Sequence, residues 1–209
     1  VNAVVEAAGK LEPVTVGLGC GHAMFNINRR PLTATPGIGA TMRLNYGGVV
    51  DRRARLLRVD KQDGSPLAVL FHYSCHPTTR GGGHGDISSD YPGVARQCIE
   101  EKLGCHALYI PGCFANIRPA IINEKTGGFG DATVKELEAC GHELGDGVVT
   151  GAKYTATHPA SGIAAATRDY DMPFQPPLPN EELQAMSKLD RSHSPGSLSA
   201  PWADRMIEM

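Results

Sequence analysis

PLAVLFHYSCHPTTRGGGHGDISSDYPG, residues 66–93, is the stretch of sequence that decides the fold. It begins with a near-continuous apolar run, passes through His76 and Pro77 into a glycine-rich loop, and ends where a helix begins. A run of this kind predicts a buried central strand. Polar groups gathered at the end of such a strand are typical of a functional site on an α/β scaffold.

A helix and a second strand follow this stretch. Apolar residues recur at helical spacing from Asp90, which we expect to cap the helix, to Gly104, and CHALYIPGC at residues 105–113 reads as the next strand. A strand–helix–strand connection places its two strands parallel, in a right-handed unit. The sequence therefore predicts an α/β fold with a mixed, largely parallel sheet, a βαβ unit and helices packed on the faces.

The loops that follow these two strands are expected to face each other. The first contains His76, and the second contains Arg118. Because parallel strands end at the same edge of a sheet, both loops leave there and should border one crevice.

A further glycine series, GxGxG at residues 17–21, follows a short apolar strand. It lacks the GxxG spacing and the following helix of a phosphate-binding loop. We interpret it as a β-bulge or tight turn.

Composition limits the function classes. The 209 residues are 41% hydrophobic and 20% charged with a net charge of -2, which is ordinary for a soluble globular protein and unlike a nucleic-acid-binding surface. No apolar run approaches the roughly 20 residues of a membrane span, and no signal peptide is visible, so the compartment stays open. The six cysteines form no CxxC pair, so zinc-finger spacing is absent.

The domain organisation is predicted from a change in composition. Residues 1–172 are assigned to the α/β domain, and residues 173–209 to a proline-rich connector with C-terminal helices. The chain opens and closes inside helical patterns, which suggests a piece of a longer protein. A truncated sheet exposes edges and an apolar face, which favours a homo-oligomer.

Four short motifs follow one another along the chain: NRRP at 28–31, PLAVLFHYSCHPTT at 66–79, ISSDYPG at 87–93 and GCFANIRPA at 112–120. They resemble, in the same order, the Asn-Arg-Ser-Pro, Thr-His-x-Thr, Ile-Ser-Gly-Asp-x-x-Gly and Gly-Asp-Val-Ser-Pro segments of one family. That family is the neutral/alkaline (non-lysosomal) ceramidases, in their N-terminal domain and especially in their bacterial, less characterised branch.

The resemblance implies a zinc-dependent amidase that cleaves an N-acyl sphingoid base into a fatty acid and an amine. Carried over by position, His76 is a zinc ligand, Arg29 contacts an oxyanion or carboxylate, and Asp90 is a structural member of its loop. The substrate class is then a lipid or small-molecule amide or ester. From the residues alone, a solvated surface arginine is the alternative for Arg29.

The chain also departs from the family pattern. The upstream His-x-His motif is absent, and the family's Glu and Tyr ligands lie beyond the point where this sequence stops. Ala115 and Asn116 replace the Gly-Asp pair, and Arg118 stands at the serine position. His84 and Asp86 on the glycine-rich loop are candidates to complete a zinc site with His76. The candidate catalytic residues are Arg29, His76, Ser88, Asp90 and Arg118.

Three readings of function remain open. The first is a ceramidase-like hydrolase with zinc in the complete protein. The second is a binding or structural module that has lost the zinc site. The third is a metal-independent esterase that uses Ser74, Ser88 or Cys113 with His76, although no GxSxG elbow is present.

Overall fold

The computed structural model describes residues 2–31, 42–81, 85, 87–160, 162, 164–173, 178–188 and 199–208. The strands are β1 Val14–His22, β2 Asn26–Asn28, β3 Arg53–Lys61, β4 Pro66–Tyr73, β5 His106–Pro111, β6 Ile117–Pro119, β7 Ile122–Asn123, β8 Gly128–Phe129 and β9 His158–Pro159. The helices are α1 Asn2–Ala8, α2 Asp90–Leu103, α3 Val134–Lys153, α4 Asn180–Ser187 and α5 Ser199–Glu208.

The central sheet has five strands in the order β5-β4-β3-β1-β9. The α/β class, the mixed sheet and the β4–α2–β5 unit with parallel strands are confirmed. The expected predominance of parallel pairs is corrected, because β1–β3, β3–β4 and β1–β9 are antiparallel. The β3–β4 pair is antiparallel because a tight hairpin joins the two strands, in which Gly64 adopts a φ of 82° and the Asp63 carboxylate accepts from Ser65 N–H and Oγ–H.

Helix α2 carries the chain from β4 back to β5 and buries one side of its surface. Tyr91, Ala95 and Ile99 are fully buried on that side. The helix ends where Gly104, at a φ of 64°, donates its N–H to the carbonyl of Glu100, as the sequence predicts. These contacts fix the direction in which the helix meets the end of β4.

Helix α3 packs against both α2 and β1. It begins with a capping box between Thr133 and Glu136. A Cβ atom at Gly145 would lie 2.8 Å from Cys98 Sγ, and one at Gly21 on β1 would lie 2.0 Å from the carbonyl oxygen of Gly147. The glycine series of β1 therefore forms a regular strand onto which α3 packs closely, and the expected bulge or turn is wrong.

The hydrophobic core lies between the sheet and helices α2 and α3. Val69, Phe71 and Tyr73 of β4 point into it. The alternate side chains of the sheet are more exposed, with Leu18 at 85% and Leu108 at 48%. In the described part of the chain, α2 and α3 thus cover one face of the sheet.

The chain forms two compact units, Val1–Arg29 with Arg43–Gly162, and Arg30–Met42 with Ile163–Met209. In the second unit, α4 and α5 pack together through Leu183 and Ala203. The sequence-based boundary after residue 172 stays a prediction. Among the described helices, none has the length and apolar character that crossing a bilayer requires.

Candidate active site

The site is built where the parallel strands β4 and β5 end. We call residues 74–81 the β4 loop and residues 112–116 the β5 loop. Gly112 donates its N–H to the carbonyl of Tyr73 at 3.0 Å, and His76 donates its N–H to the carbonyl of Ile117 at 3.0 Å. These bonds tie the start of the β5 loop to the end of β4, and the β4 loop to β6. The two loops themselves meet at this rim of the sheet where the His76 ring contacts the Phe114 ring.

His76 lies on this rim with a half-buried imidazole. Its ring meets the ring of Phe114 edge-on, with 4.3 Å between the centroids. Burial lowers the pKa of the His76 imidazole, and the positive charges of Arg29 and Arg118 lower it further. The ring is therefore neutral at pH 7 and offers a nitrogen lone pair to a metal or a proton.

Arg29 follows β2 and reaches across to the β5 loop. Its backbone N–H donates to the carbonyl of Asn116 at 2.8 Å, and its Nε and Nη2 donate to the carbonyl of Ala115 at 3.2 and 2.8 Å. The guanidinium thus holds the β5 loop at the rim and adds positive charge beside His76.

Arg118 lies on β6 and reaches the β4 loop. Its Nη2 donates to the carbonyls of Thr78 at 3.2 Å and Gly130 at 3.5 Å. The guanidinium carbon lies 4.5 Å from the ring centroid of Phe129. Burial lowers the pKa of this guanidinium, although Asp131 opposes the shift. Arg118 therefore remains charged and ties the β4 loop to the end of β8, which pairs antiparallel with β7.

Asp90 is buried and anchors the β4 loop. Its Oδ2 accepts from Thr79 N–H at 3.0 Å and from Thr79 Oγ–H at 2.6 Å, while its Oδ1 accepts from Tyr91 N–H at 2.7 Å. The expected helix cap is corrected, because Asp90 is the first helical residue and Ser89 occupies the capping position. A left-handed φ of 54° at Asp90 accompanies the turn of the carboxylate toward the loop.

The candidate nucleophiles differ in their surroundings. Ser88 is exposed, and its Oγ accepts from Asp90 N–H at 3.0 Å, a bond typical of serines at the start of a helix. Ser74 is buried, at 5% exposure. Cys113 is exposed and directly precedes Phe114, which contacts the His76 ring.

The zinc site that the family resemblance implies would include His76, His84 and Asp86. His84 and Asp86 lie outside the described residues. Within the described ranges, no three His, Cys, Asp or Glu side chains are placed to hold one metal ion. A catalytic zinc site takes about three protein ligands, so His76 with its described neighbours does not fit a complete one.

Two residues that shape this site were not among the predicted site residues. Tyr91 donates its hydroxyl to the carbonyl of Cys75 at 2.5 Å, and Phe114 packs on His76. Tyr91 carried one signal, an aromatic ring on the apolar side of α2 next to the loop. Phe114 carried none beyond its place in the β5 loop.

The fold is similar to that of two solved ceramidase structures. The neutral ceramidase from Pseudomonas aeruginosa matches with a TM-score of 0.57 and 17% sequence identity, over 74% of this chain and 25% of that chain. A ceramidase complexed with C2 matches with a TM-score of 0.55 and 18% identity, over 73% of this chain and 25% of that chain. No family model and no curated protein matches the chain.

This likeness shows a ceramidase-like fold, because the sequence identity is too low to carry more. The chain spans about a quarter of the length of the two ceramidases it matches. The motif-based resemblance and the structural likeness therefore point to the same architecture, and activity has to be argued from the rim itself.

Proposed function

We propose that the chain is part of a ceramidase-like hydrolase that cleaves an amide (N-acyl) or ester bond of a lipid or small-molecule substrate. The ceramidase-like fold supports the proposal. The second support is the rim, where the two loops bring one histidine against an aromatic ring and where arginines from the end of β2 and from β6 add positive charge.

The observation that carries the proposal is the position of the His76 imidazole, which lies half-buried on the rim against the Phe114 ring. Burial lowers the pKa of this imidazole and the charges of Arg29 and Arg118 lower it further, which favours the neutral form that can ligate a metal or accept a proton from an attacking group. The same guanidiniums provide positive charge near the place where an oxyanion would form. Arg29 and Arg118 therefore have two roles, because each supplies positive charge and each also holds one of the two loops through hydrogen bonds.

Zinc remains part of this proposal only through the family resemblance. His76 would supply one ligand, and His84 and Asp86 stay candidate ligands. The described residues do not complete a site by themselves. We expect weak or no metal binding by the isolated chain, and a stoichiometric zinc content would contradict that expectation.

The test is hydrolysis of fluorogenic N-acyl amides and aryl esters, with and without added zinc. His76→Gln should lower turnover at least tenfold, because glutamine keeps polarity but supplies neither a basic nitrogen nor an imidazole ligand. His142→Gln is the matched control, since His142 is exposed on α3. Equal turnover in His76→Gln and the wild type, or no turnover of any substrate by the wild type, would contradict the proposal.

A second candidate is a metal-independent esterase with Cys113 as nucleophile. The exposed Cys113 thiol directly precedes the residue that contacts His76. Ester turnover that survives a chelator and is lost in Cys113→Ala would favour this candidate. Turnover that is unchanged in Cys113→Ala would exclude it.

A further inference from the structure

Two consecutive residues at the start of α2 hold the two sides of His76. Asp90 binds Thr79, three residues after the histidine, and Tyr91 binds Cys75, the residue before it. We propose that Tyr91 is a positioning residue for His76, and this inference rests on the proposed function of the rim. Its action is to fix the peptide unit from which the histidine side chain projects.

The contact of Tyr91 with the loop is direct and fully buried. Its hydroxyl donates to the carbonyl oxygen of Cys75 at 2.5 Å, and neither residue has solvent exposure. The Tyr91 ring packs edge-on against Phe25 with 5.1 Å between centroids, and its hydroxyl oxygen lies 3.0 Å from that of Tyr109. The ring is therefore held on several sides, and the hydroxyl has one defined direction.

The carbonyl of Cys75 and the N–H of His76 belong to the same planar peptide unit. Tyr91 binds the carbonyl end, and the carbonyl of Ile117 accepts from the N–H end at 3.0 Å. With both polar ends held, the plane of this peptide unit is fixed. The direction in which the Cα–Cβ bond of His76 leaves the backbone is fixed with it.

Beyond the end of β4, the Tyr91 side chain supplies a hydrogen-bond donor to the backbone of the β4 loop. The carbonyl of Tyr73, at the end of β4, accepts from Gly112 N–H at 3.0 Å and from the Tyr109 hydroxyl at 3.2 Å. Two residues further on, Tyr91 supplies the donor for Cys75. Burial raises the pKa of Tyr91 and raises that of Tyr109 to about 12, so both hydroxyls stay protonated donors.

The experiment compares Tyr91→Phe with Tyr73→Phe in the full chain. Both changes keep the ring and remove one buried hydroxyl-to-carbonyl bond, since Tyr73 donates to the carbonyl of Ala23 at 2.9 Å. The readout is native-state hydrogen exchange of the His76 amide, expressed relative to the amides of Val69 and Ile99 in the core. Global unfolding exposes all three amides alike, so a rise of the His76 rate above the core rates reports local opening at the rim.

In Tyr91→Phe the His76 amide should exchange about fivefold faster relative to the core, which corresponds to the loss of one hydrogen bond. In Tyr73→Phe the ratio should stay at the wild-type value. An unchanged ratio in Tyr91→Phe, or an equal rise in both variants, would overturn the inference.

Turnover separates this inference from the proposed function. If the rim is a hydrolase site, Tyr91→Phe should lower kcat with little change in KM, because the substrate still binds while His76 is less well aligned. An altered exchange ratio in a protein without any turnover would contradict the proposed function but still support the positioning role of Tyr91. Full turnover together with an unchanged exchange ratio would support the proposed function and contradict the positioning role of Tyr91.

Discussion

The β4 loop and the β5 loop meet at the same rim but are held in different ways. Side chains from two other elements bind the β4 loop, whose Cys75 and Thr79 are fully buried. The β5 loop exposes Cys113, Ala115 and Asn116 and is held mainly through its backbone carbonyls. The histidine lies on the firmly anchored loop, as a site that needs fixed geometry requires. The facing loop has the weaker attachment.

The largest loss of stability is expected from a change at Asp90, which anchors the β4 loop. Asp90→Ala should lower the free energy of unfolding by about 3 kcal/mol, because the buried N–H and hydroxyl of Thr79 lose a charged acceptor. Urea unfolding measures this loss. Asp90→Asn is the control, since asparagine also tolerates a positive φ and keeps one oxygen acceptor, and it should cost about half as much. An Asp90→Ala variant as stable as the wild type would remove the contrast between the loops.

A loss of stability of intermediate size is expected from a change at Gly112, where the β5 loop begins. A Cβ atom at Gly112 would lie 2.5 Å from Ser74 Oγ and 2.6 Å from His72 Nε2, so Gly112→Ala should cost about 2 kcal/mol through crowding. Thermal or urea unfolding would show it. Gly47→Ala provides the control, because its nearest neighbour is Asn45 Oδ1 at 3.9 Å. Equal stability of the two alanine variants would show that the rim is looser than described.

A smaller effect is expected at Arg29, on the weakly attached loop. Arg29→Ala should lower the free energy of unfolding by about 1 kcal/mol, since the bonds it loses lie at the surface. Amide exchange at Asn116 should rise more than at Thr79, because the Arg29 guanidinium donates to Ala115 of the β5 loop, whereas Thr79 is held by Asp90. The control is Arg52→Ala, at an exposed arginine side chain. A loss of stability as large as that of Asp90→Ala would contradict the weaker attachment of the β5 loop.

The smallest effect concerns pH. The folded-state pKa of His76 lies below its unfolded value, so the unfolded chain binds more protons near pH 6 and the histidine destabilises the fold as pH falls. Between pH 7.5 and 5.5 the wild type should therefore lose more stability than His76→Gln. Urea unfolding at both pH values measures the difference. Parallel losses in the two proteins would show that the imidazole is not shielded by the loops.

The β4–α2–β5 unit and the meeting of its loops could be predicted from the sequence. An apolar strand, a helical period that ends at Gly104 and a second apolar strand leave few arrangements, given the handedness of the connection. The direction of β3 was also readable, because Asp63 and Gly64 mark a hairpin. This hairpin makes β3 and β4 antiparallel, and the antiparallel pairs of β1 with β3 and β9 complete a majority over the parallel β4–β5 pair on which the expectation rested.

The remaining features depend on contacts between distant residues. Gly21 reads as a turn residue, and its role appears only when α3 lies against it through Gly147. Asp90 reads as a helix cap, whereas its carboxylate reaches Thr79, eleven residues earlier. Local patterns report local geometry, and such tertiary partners have no signal in a single sequence.

The most direct test is an NMR titration of the His76 imidazole in the wild-type chain and in Arg29→Ala. The central claim is that the two loops present this ring in its neutral form. We predict a pKa below the ordinary 6.5 in the wild type and a rise toward that value when the Arg29 charge is removed. A wild-type pKa at or above 6.5, with no response to Arg29→Ala, would contradict it.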